Sequence, residues 1–377
     1  MDSLSVYVHI PFCESKCNYC DFNSFAHKED FFEPYVNSLI DEIENCSELS
    51  QRNIDTIFIG GGTPSVLPPY YIGKIMETLG KHKISKTAEI TIETNPNSLT
   101  FEKLSAYRKS GINRLSIGLQ TMQNELLKKL GRLHSTNDFL NCHENALRAG
   151  FENISADLIF AVPGQTLKDW EESLKALIEL KLNHISCYSL IIEEGTPFYA
   201  EYEKGKLSPI DDELDRQMYY LALDMLSSNA YKQYEISNFA RESFESRHNI
   251  AYWTRKNYIG FGLSAHSLFD NKRFENSSCL DTYIKHSRNA DIIRQSIEIL
   301  TQKDQIEEFM FLGLRMNDGI SFKNFKEQFG VELMSVYGNI LNTQKANGLL
   351  FFDSNIVKLT RKGVDLSNVV FSDFLLD

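Results

Sequence analysis

Short runs enriched in Val, Ile, Leu and aromatic residues recur over the first three quarters of the chain, at residues 5–10, 55–59, 89–93, 114–118, 154–159 and 184–190. Between them lie amphipathic stretches at 31–43, 70–79, 100–110, 137–149 and 167–180. The first pattern predicts strands and the second helices. Thr100, with Lys103 and Leu104 behind it, reads as an N-cap, and Gly111 and Gly150 stop the helices before them. Strand, crossover helix and strand, repeated, predicts an α/β fold in which a parallel sheet curls into a full or partial (β/α)6 barrel, because such crossovers are right-handed and wind one way. Chemistry in such folds gathers at the C-terminal ends of the strands.

The unusual residues fall at those ends. Cys13, Cys17 and Cys20 follow the first strand, Gly60 to Pro64 the second, Glu93 closes the third, Gln120 follows the fourth and Asp157 lies near the end of the fifth. From about Asp304 the pattern changes to helices at 306–314 and 322–329, then apolar runs at 349–352 and 356–359 with Asp353-Ser354-Asn355 between them. Helices followed by a hairpin predict a small winged-helix-like α+β domain at 300–377 after a barrel and its extension at 1–290. From residue 301 onward there are 8 basic and 10 acidic residues, which favours packing or partner contact over DNA binding.

With 42% hydrophobic and 24% charged residues among 377, the chain has material for a sizeable core and is not disordered. A net charge of −12 suits phosphate backbones poorly, so nucleic acid is not expected as a partner. No membrane-length apolar run and no basic-then-apolar leader are evident, and the expectation is a soluble cytoplasmic protein. Three of the seven cysteines crowd into Cys13 to Cys20, while Cys46, Cys142, Cys187 and Cys279 lie far apart. In a reducing compartment that clustering favours metal binding over disulfides.

The segment Tyr7-Val8-His9-Ile10-Pro11-Phe12-Cys13 leads into a C-x₃-C-x₂-C spacing. Soft thiolates select zinc or iron–sulfur clusters. Zinc wants a fourth ligand, for which His9 or His27 could serve; a cubane held by three cysteines instead leaves one iron open. Together with Gly60-Gly61-Gly62-Thr63-Pro64-Ser65, the spacing resembles the radical S-adenosylmethionine proteins, and the opening segment is similar to oxygen-independent coproporphyrinogen III oxidases and their haem-chaperone relatives. The likeness runs along essentially the whole chain. It implies a [4Fe-4S] cluster on Cys13, Cys17 and Cys20, with S-adenosylmethionine on the open iron and an electron donor for the cluster. It further implies cofactor contacts from Tyr7, Gly61, Gly62, Thr63, Glu93, Gln120, Arg132 and Asp157, with Tyr19 near the adenine. The residue types suit that role: carboxylates accept from ammonium and ribose hydroxyls, and Arg132 can hold a carboxylate.

Two functions follow from the resemblance. One is oxidative decarboxylation of coproporphyrinogen III; the other is a chaperone that binds haem and delivers it to a membrane haem protein. The oxidases commonly carry a fourth cysteine two residues beyond the third, where this chain has Phe22, and they extend further before the first strand, which here begins at about Ser5. Cys20-Asp21-Phe22-Asn23-Ser24 is similar to the chaperones. So is His248-Asn249-Ile250-Ala251-Tyr252-Trp253, which resembles their H-N-x-x-Y-W haem-binding string. His248 would ligate the iron, with Tyr252 and Trp253 as an aromatic wall. His266 is a second candidate, read as structural, and His9 is read as orienting the cysteine loop. Without a basic amphipathic anchor, membrane contact is expected to be peripheral and through a partner.

Overall fold

The computed structural model describes residues 3–376. Its centre is a sheet whose first six strands are parallel: β1 (Ser3–Ile10), β2 (Asn53–Gly61), β3 (Ile84–Thr94), β4 (Arg114–Gln120), β5 (Asn153–Phe160) and β6 (His184–Ser189). Helices α1 (Phe32–Glu44), α2 (Pro69–Leu79), α3 (Phe101–Lys109), α4 (Thr136–Arg148) and α5 (Leu167–Glu179) make the crossovers. Each buries its apolar stripe against the sheet; on α1 Tyr35, Val36, Leu39 and Ile43 are wholly buried. The expected cap at Thr100 is present, its side chain accepting from the Lys103 amide, and capping boxes at Ser135 and Thr166 start α4 and α5. Gly111 and Gly150 adopt φ +95° and +84°, the left-handed backbone that ends a helix cheaply only with glycine.

One face of each of the six strands surrounds a common cavity, lined by Tyr7, Phe58, Glu93, Arg114, Asp157 and His184 from β1 to β6 in turn. Only a curled sheet can bring six neighbouring strands around one space. Register does the rest: Tyr7 pairs with Phe58, His9 with Gly60, Glu93 with Ser116 and Gly118 with Asp157, so the polar strand ends lie level.

The sheet is wider than the six strands expected. It continues through β7 (Lys232–Glu235) and β8 (Asn238–Ala240) beside β6, and through β9 (Tyr258–Phe261), β10 (His266–Phe269), β11 (Lys272–Asn276) and β12 (Arg294–Ile299) beside β1. Only β9 among these runs parallel to its six-stranded neighbour. The additions have three to six residues each, and β12 is exposed along most of its length, so no apolar run marks it. Among the helices outside the expected set are α6 (Asp212–Ser227) behind β7, and α7 (Arg247–Trp253), which carries the H-N-x-x-Y-W string.

Residues 302–374 form a second apolar core around Met310, Phe325, Tyr337, Leu341, Val357 and Phe374. Helix α8 (Gln302–Gly313), helices α9 (Phe322–Phe329) and α10 (Leu333–Ala346), and a hairpin of β14 (Leu350–Phe352) and β15 (Ile356–Leu359) joined by the short β13 (Ile320–Ser321) make this small domain. No helix among the described residues is long and apolar enough to cross a membrane.

A buried carboxylate ties α1 to the turn after β9. Glu42 accepts from the Gly262 amide at 2.9 Å, the Asn276 side chain at 2.7 Å and the Tyr283 hydroxyl at 2.5 Å. Gly262 has φ +97°, and a Cβ there would lie 2.6 Å from the His9 carbonyl oxygen. Removing the carboxylate strands three buried donors. Glu42→Ala should therefore lower the unfolding free energy by about 3 kcal/mol or more, and Glu42→Gln by less. Urea unfolding of the two variants checks this; a loss below about 1 kcal/mol for alanine would show that water replaces the carboxylate.

Candidate functional site

The loop leaving β1 carries the three cysteines and is held by main-chain bonds before any cofactor is considered. The Gly62 amide donates to the Ile10 carbonyl at 2.9 Å, Thr63 to Phe12 at 2.7 Å, and Phe25 to Pro11 at 2.7 Å. Further round, the Asn18 amide donates to the Leu130 carbonyl at 3.0 Å and its side chain to the Lys129 carbonyl at 2.9 Å. All seven cysteines are free thiols. Burial raises the Cys13 thiol and pushes Cys20 up to about 11, so both carry protons until a cation displaces them.

Two neighbours reach the sulfurs. Arg132 places Nη1 3.4 Å from Cys17 Sγ, while its Nη2 donates to Asn95 Oδ1 at 3.0 Å and the Gly118 carbonyl at 2.8 Å; its buried Nε has no acceptor. Thr63 Oγ1 lies 3.6 Å from Cys13 Sγ. The glycine turn explains its own composition. A Cβ on Gly62 would lie 2.7 Å from the Phe12 carbonyl oxygen and 3.0 Å from Cys13 Sγ; Gly61 has φ +112° and its Cβ would meet the His9 ring at 2.6 Å.

His9 is committed elsewhere. Its Nε2 lies 3.1 Å from the Asn23 carbonyl, which can only accept, so Nε2 carries the proton and Nδ1 accepts from the Tyr7 hydroxyl at 3.0 Å. Burial lowers its pKa and keeps the ring neutral. With both nitrogens engaged, His9 braces the cysteine loop, as the sequence suggests, and is not placed to be a fourth metal ligand.

The cavity beside the thiols has a volume of about 560 Å³. Cys13, Cys17, Tyr19 and Cys20 line it from the loop, Tyr7, Gly61, Gly62, Thr63, Glu93, Gln120 and Asp157 from the strand ends, Arg132 from the segment after β4, and His248 and Tyr252 from α7. Its electrostatics are those of buried charge. Burial, with Asp157 repelling, pushes the Glu93 carboxyl up to about 7. Burial also raises Asp157, which accepts from Ser116 Oγ at 3.1 Å. Glu93 accepts from the Gly61 amide at 3.1 Å. Gln120 sits at φ +73°, a backbone strain that turns β4 out at its end.

The haem trio grouped by sequence does not share one space. His248 is 1% exposed, stacked on Phe58 at 5.1 Å, with Nδ1 2.8 Å from Thr56 Oγ1 and Nε2 2.9 Å from the Tyr252 hydroxyl. Burial lowers its pKa to about 3. On a helix, positions four apart share a face and the next residue points elsewhere. Hence His248 and Tyr252 face the first cavity, whereas Trp253 faces a neighbouring one that Tyr252 alone of the trio also lines.

Arg114, Ser116 and His184 are among the lining residues that the sequence reading did not single out. For Arg114 and Ser116 the signal is the period of two on β4, where Arg114, Ser116, Gly118 and Gln120 all point inward.

The Radical SAM superfamily model matches residues 7–177 and the HemN C-terminal domain model matches residues 300–366. The chain is 39% identical over 374 residues to "Heme chaperone HemW" of Bacillus subtilis (strain 168), covering 98% of this chain and 99% of that one. It is 34% identical over 387 residues to "Radical S-adenosyl methionine domain-containing protein 1, mitochondrial" of Danio rerio, covering 99% and 87%. Among solved structures, the coproporphyrinogen III oxidase HemN from Escherichia coli, a radical SAM enzyme, superposes with a TM-score of 0.87 at 23% identity over 99% of this chain and 90% of that one, a likeness of fold.

The raised Glu93 carboxyl has a consequence for stability. A carboxyl at about 7 in the fold and near its ordinary 4.5 when unfolded favours the folded state while protonated. That contribution is complete below about pH 4.5 and is lost as pH rises through 7. In the cofactor-free protein Glu93→Gln should therefore be more stable than wild type at pH 8, by up to about 3 kcal/mol, with the gap closing toward pH 5. Thermal melts at the two pH values check it; equal shifts at both would refute it.

Proposed function

The chain belongs to the radical S-adenosylmethionine superfamily, and within it we propose that this protein is a haem chaperone, binding haem and passing it to a membrane-associated haem protein. Phe22 carries this reading. It occupies the place of the oxidases' fourth cysteine, is exposed, and lines both cavities at the strand ends, where an apolar ring suits a macrocycle. Relatives that bear the chaperone name at 37% and 39% identity along nearly the full chain support it.

The residue types present suit the family's cofactors, although among the described residues no three metal-ligating side chains are drawn together into a ready-made site. Cys13, Cys17 and Cys20 would hold the [4Fe-4S] cluster, in a cradle kept open because Gly62 has no side chain. When bound, cluster and S-adenosylmethionine supply one-electron cleavage of a sulfonium carbon–sulfur bond, for which an electron donor is needed. The chain's own part is to bind, orient and exclude water. Arg132, fixed by Asn95 and the Gly118 carbonyl, offers a guanidinium beside Cys17 to a carboxylate. Glu93 and Asp157 accept from an ammonium group and ribose hydroxyls, and a bound cation would pull both toward ionisation. Tyr19 and Ile159 give a flat apolar wall for the adenine, and Gln120 offers a donor and an acceptor.

The test is anaerobic reconstitution of the full chain. Wild type should take up iron and sulfide, and Cys13→Ala should lose most of both; unchanged iron in that variant refutes the cluster assignment. Arg132→Met should weaken S-adenosylmethionine binding by about ten- to a hundredfold, the value of a charge-assisted hydrogen bond. With reductant, S-adenosylmethionine and coproporphyrinogen III, no decarboxylated porphyrin should form under conditions where an authentic oxidase makes it. Product would identify an oxidase in spite of Phe22.

A further inference from the structure

Beside the first cavity lies a second of about 610 Å³, and Tyr7, Phe22, Glu93 and Tyr252 line both. That volume falls in the range of about 300–1,000 Å³ usual for cofactor-sized ligands. Its outer wall is built by α7 and by β9 to β11. Tyr252 and Tyr258 meet edge to face at 4.6 Å, and Trp253 continues the aromatic surface. An Arg315 guanidinium covers one face of Trp253 at 4.4 Å, and its buried Nε1 has no acceptor.

Two further groups give this wall a chemistry. His266 opens β10, and its side chain is 62% exposed; its one polar contact is a loose 3.4 Å approach of Nε2 to Glu275 on the neighbouring strand. The strand beneath it is rigid. Gly260 lacks the Cβ that would strike the His266 carbonyl, its amide donates to Ser267 Oγ at 3.0 Å, and Asn23 from the cysteine loop donates to Ser264 Oγ at 2.6 Å. Opposite stands a charge surplus. The buried Glu308 carboxylate serves two guanidinium groups, Arg255 at 2.7 Å and Arg273 at 2.5 Å, so one positive charge is left over. Arg255 is sealed at 3% exposed, whereas Arg273 is 35% exposed and lines the cavity.

An aromatic slot, an accessible imidazole on a fixed strand and a surplus guanidinium form the complement of a flat iron chelate bearing carboxylates. We propose that this second cavity seats the haem, with His266 as the iron ligand, Trp253 and Tyr258 flanking the macrocycle and Arg273 holding a propionate. His248 is then a positioning residue: buried, with both ring nitrogens engaged, it orients the Tyr252 hydroxyl between the two cavities. The assignment rests on the haem-binding reading above and moves its ligand from α7 to β10.

Titration of the full-length chain with ferric haemin, followed by absorption and electron paramagnetic resonance, tests it. Wild type should show histidine-ligated haem. His266→Ala should lose that signature and bind at least tenfold more weakly, and His266→Cys should replace it with a thiolate-ligated one. His248→Ala should retain histidine ligation. Because His266 is exposed, His266→Ala should melt at the wild-type temperature. Metal-free protoporphyrin IX, which needs the slot and not the ligand, should bind His266→Ala as it binds wild type and bind Arg273→Leu several-fold more weakly. An unchanged spectrum in His266→Ala, or histidine ligation lost only in His248→Ala, overturns the assignment while leaving haem binding standing. Wild type that fails to bind haemin where an apoglobin succeeds removes the haem reading itself.

Discussion

Two main-chain hydrogen bonds, from Gly62 to Ile10 and from Thr63 to Phe12, clasp the loop leaving β1 to the turn leaving β2. They set where three thiols, a glycine cradle and the neck of a barrel stand relative to one another. The clasp exists because Gly61 and Gly62 lack side chains; Cβ atoms there would strike the His9 ring, the Phe12 carbonyl and Cys13 Sγ. His9 then extends the frame. It accepts from the Tyr7 hydroxyl on one nitrogen and donates a hydrogen bond to the Asn23 carbonyl with the other, and Asn23 reaches Ser264 in the turn before β10. The loop that presents the cysteines is thus braced from both flanks, and each flank faces a different cavity.

The barrel interior is expensive by design. Glu93 and Asp157 line the cavity beside the buried Arg114, and both carboxyls are raised by desolvation. A core built for stability alone would fill that space with aliphatic groups. Carboxyls raised by burial instead keep acceptors ready that a cationic ligand would draw toward ionisation. Stability is given up where binding recovers it, and the aliphatic packing lies behind the sheet on α1 to α5, away from the chemistry.

Much of this was legible in the residues because parallel strands are buried on both faces and read as apolar runs with polar residues at their ends. The six strands, the five crossover helices and the hairpin near the C-terminus follow from that pattern, and the thiols and glycines announce themselves by spacing. The short added strands do not. β9 to β12 are short, and β12 is exposed, so no period of two rises above the loops around it. The grouping of His248 with Trp253 failed for a plainer reason: adjacency in a string is not adjacency in space, since one residue along a helix is about a hundred degrees of rotation. His266, read from sequence as structural, has an exposed ring.

Four residues, Tyr7, Phe22, Glu93 and Tyr252, belong to the walls of both cavities. A ligand in one therefore rests on groups that shape the other, and the coupling between two such sites is reciprocal in free energy. Glu93 is a member whose carboxyl burial raises to about 7, so a cation on the first side would draw it toward ionisation and alter the charge presented to the second. His248 and Thr56 fix the Tyr252 hydroxyl within a hydrogen-bonded chain that ends on β2. Under the proposed assignments, cofactor occupancy on one side of the wall and macrocycle affinity on the other would be two readings of a single linkage.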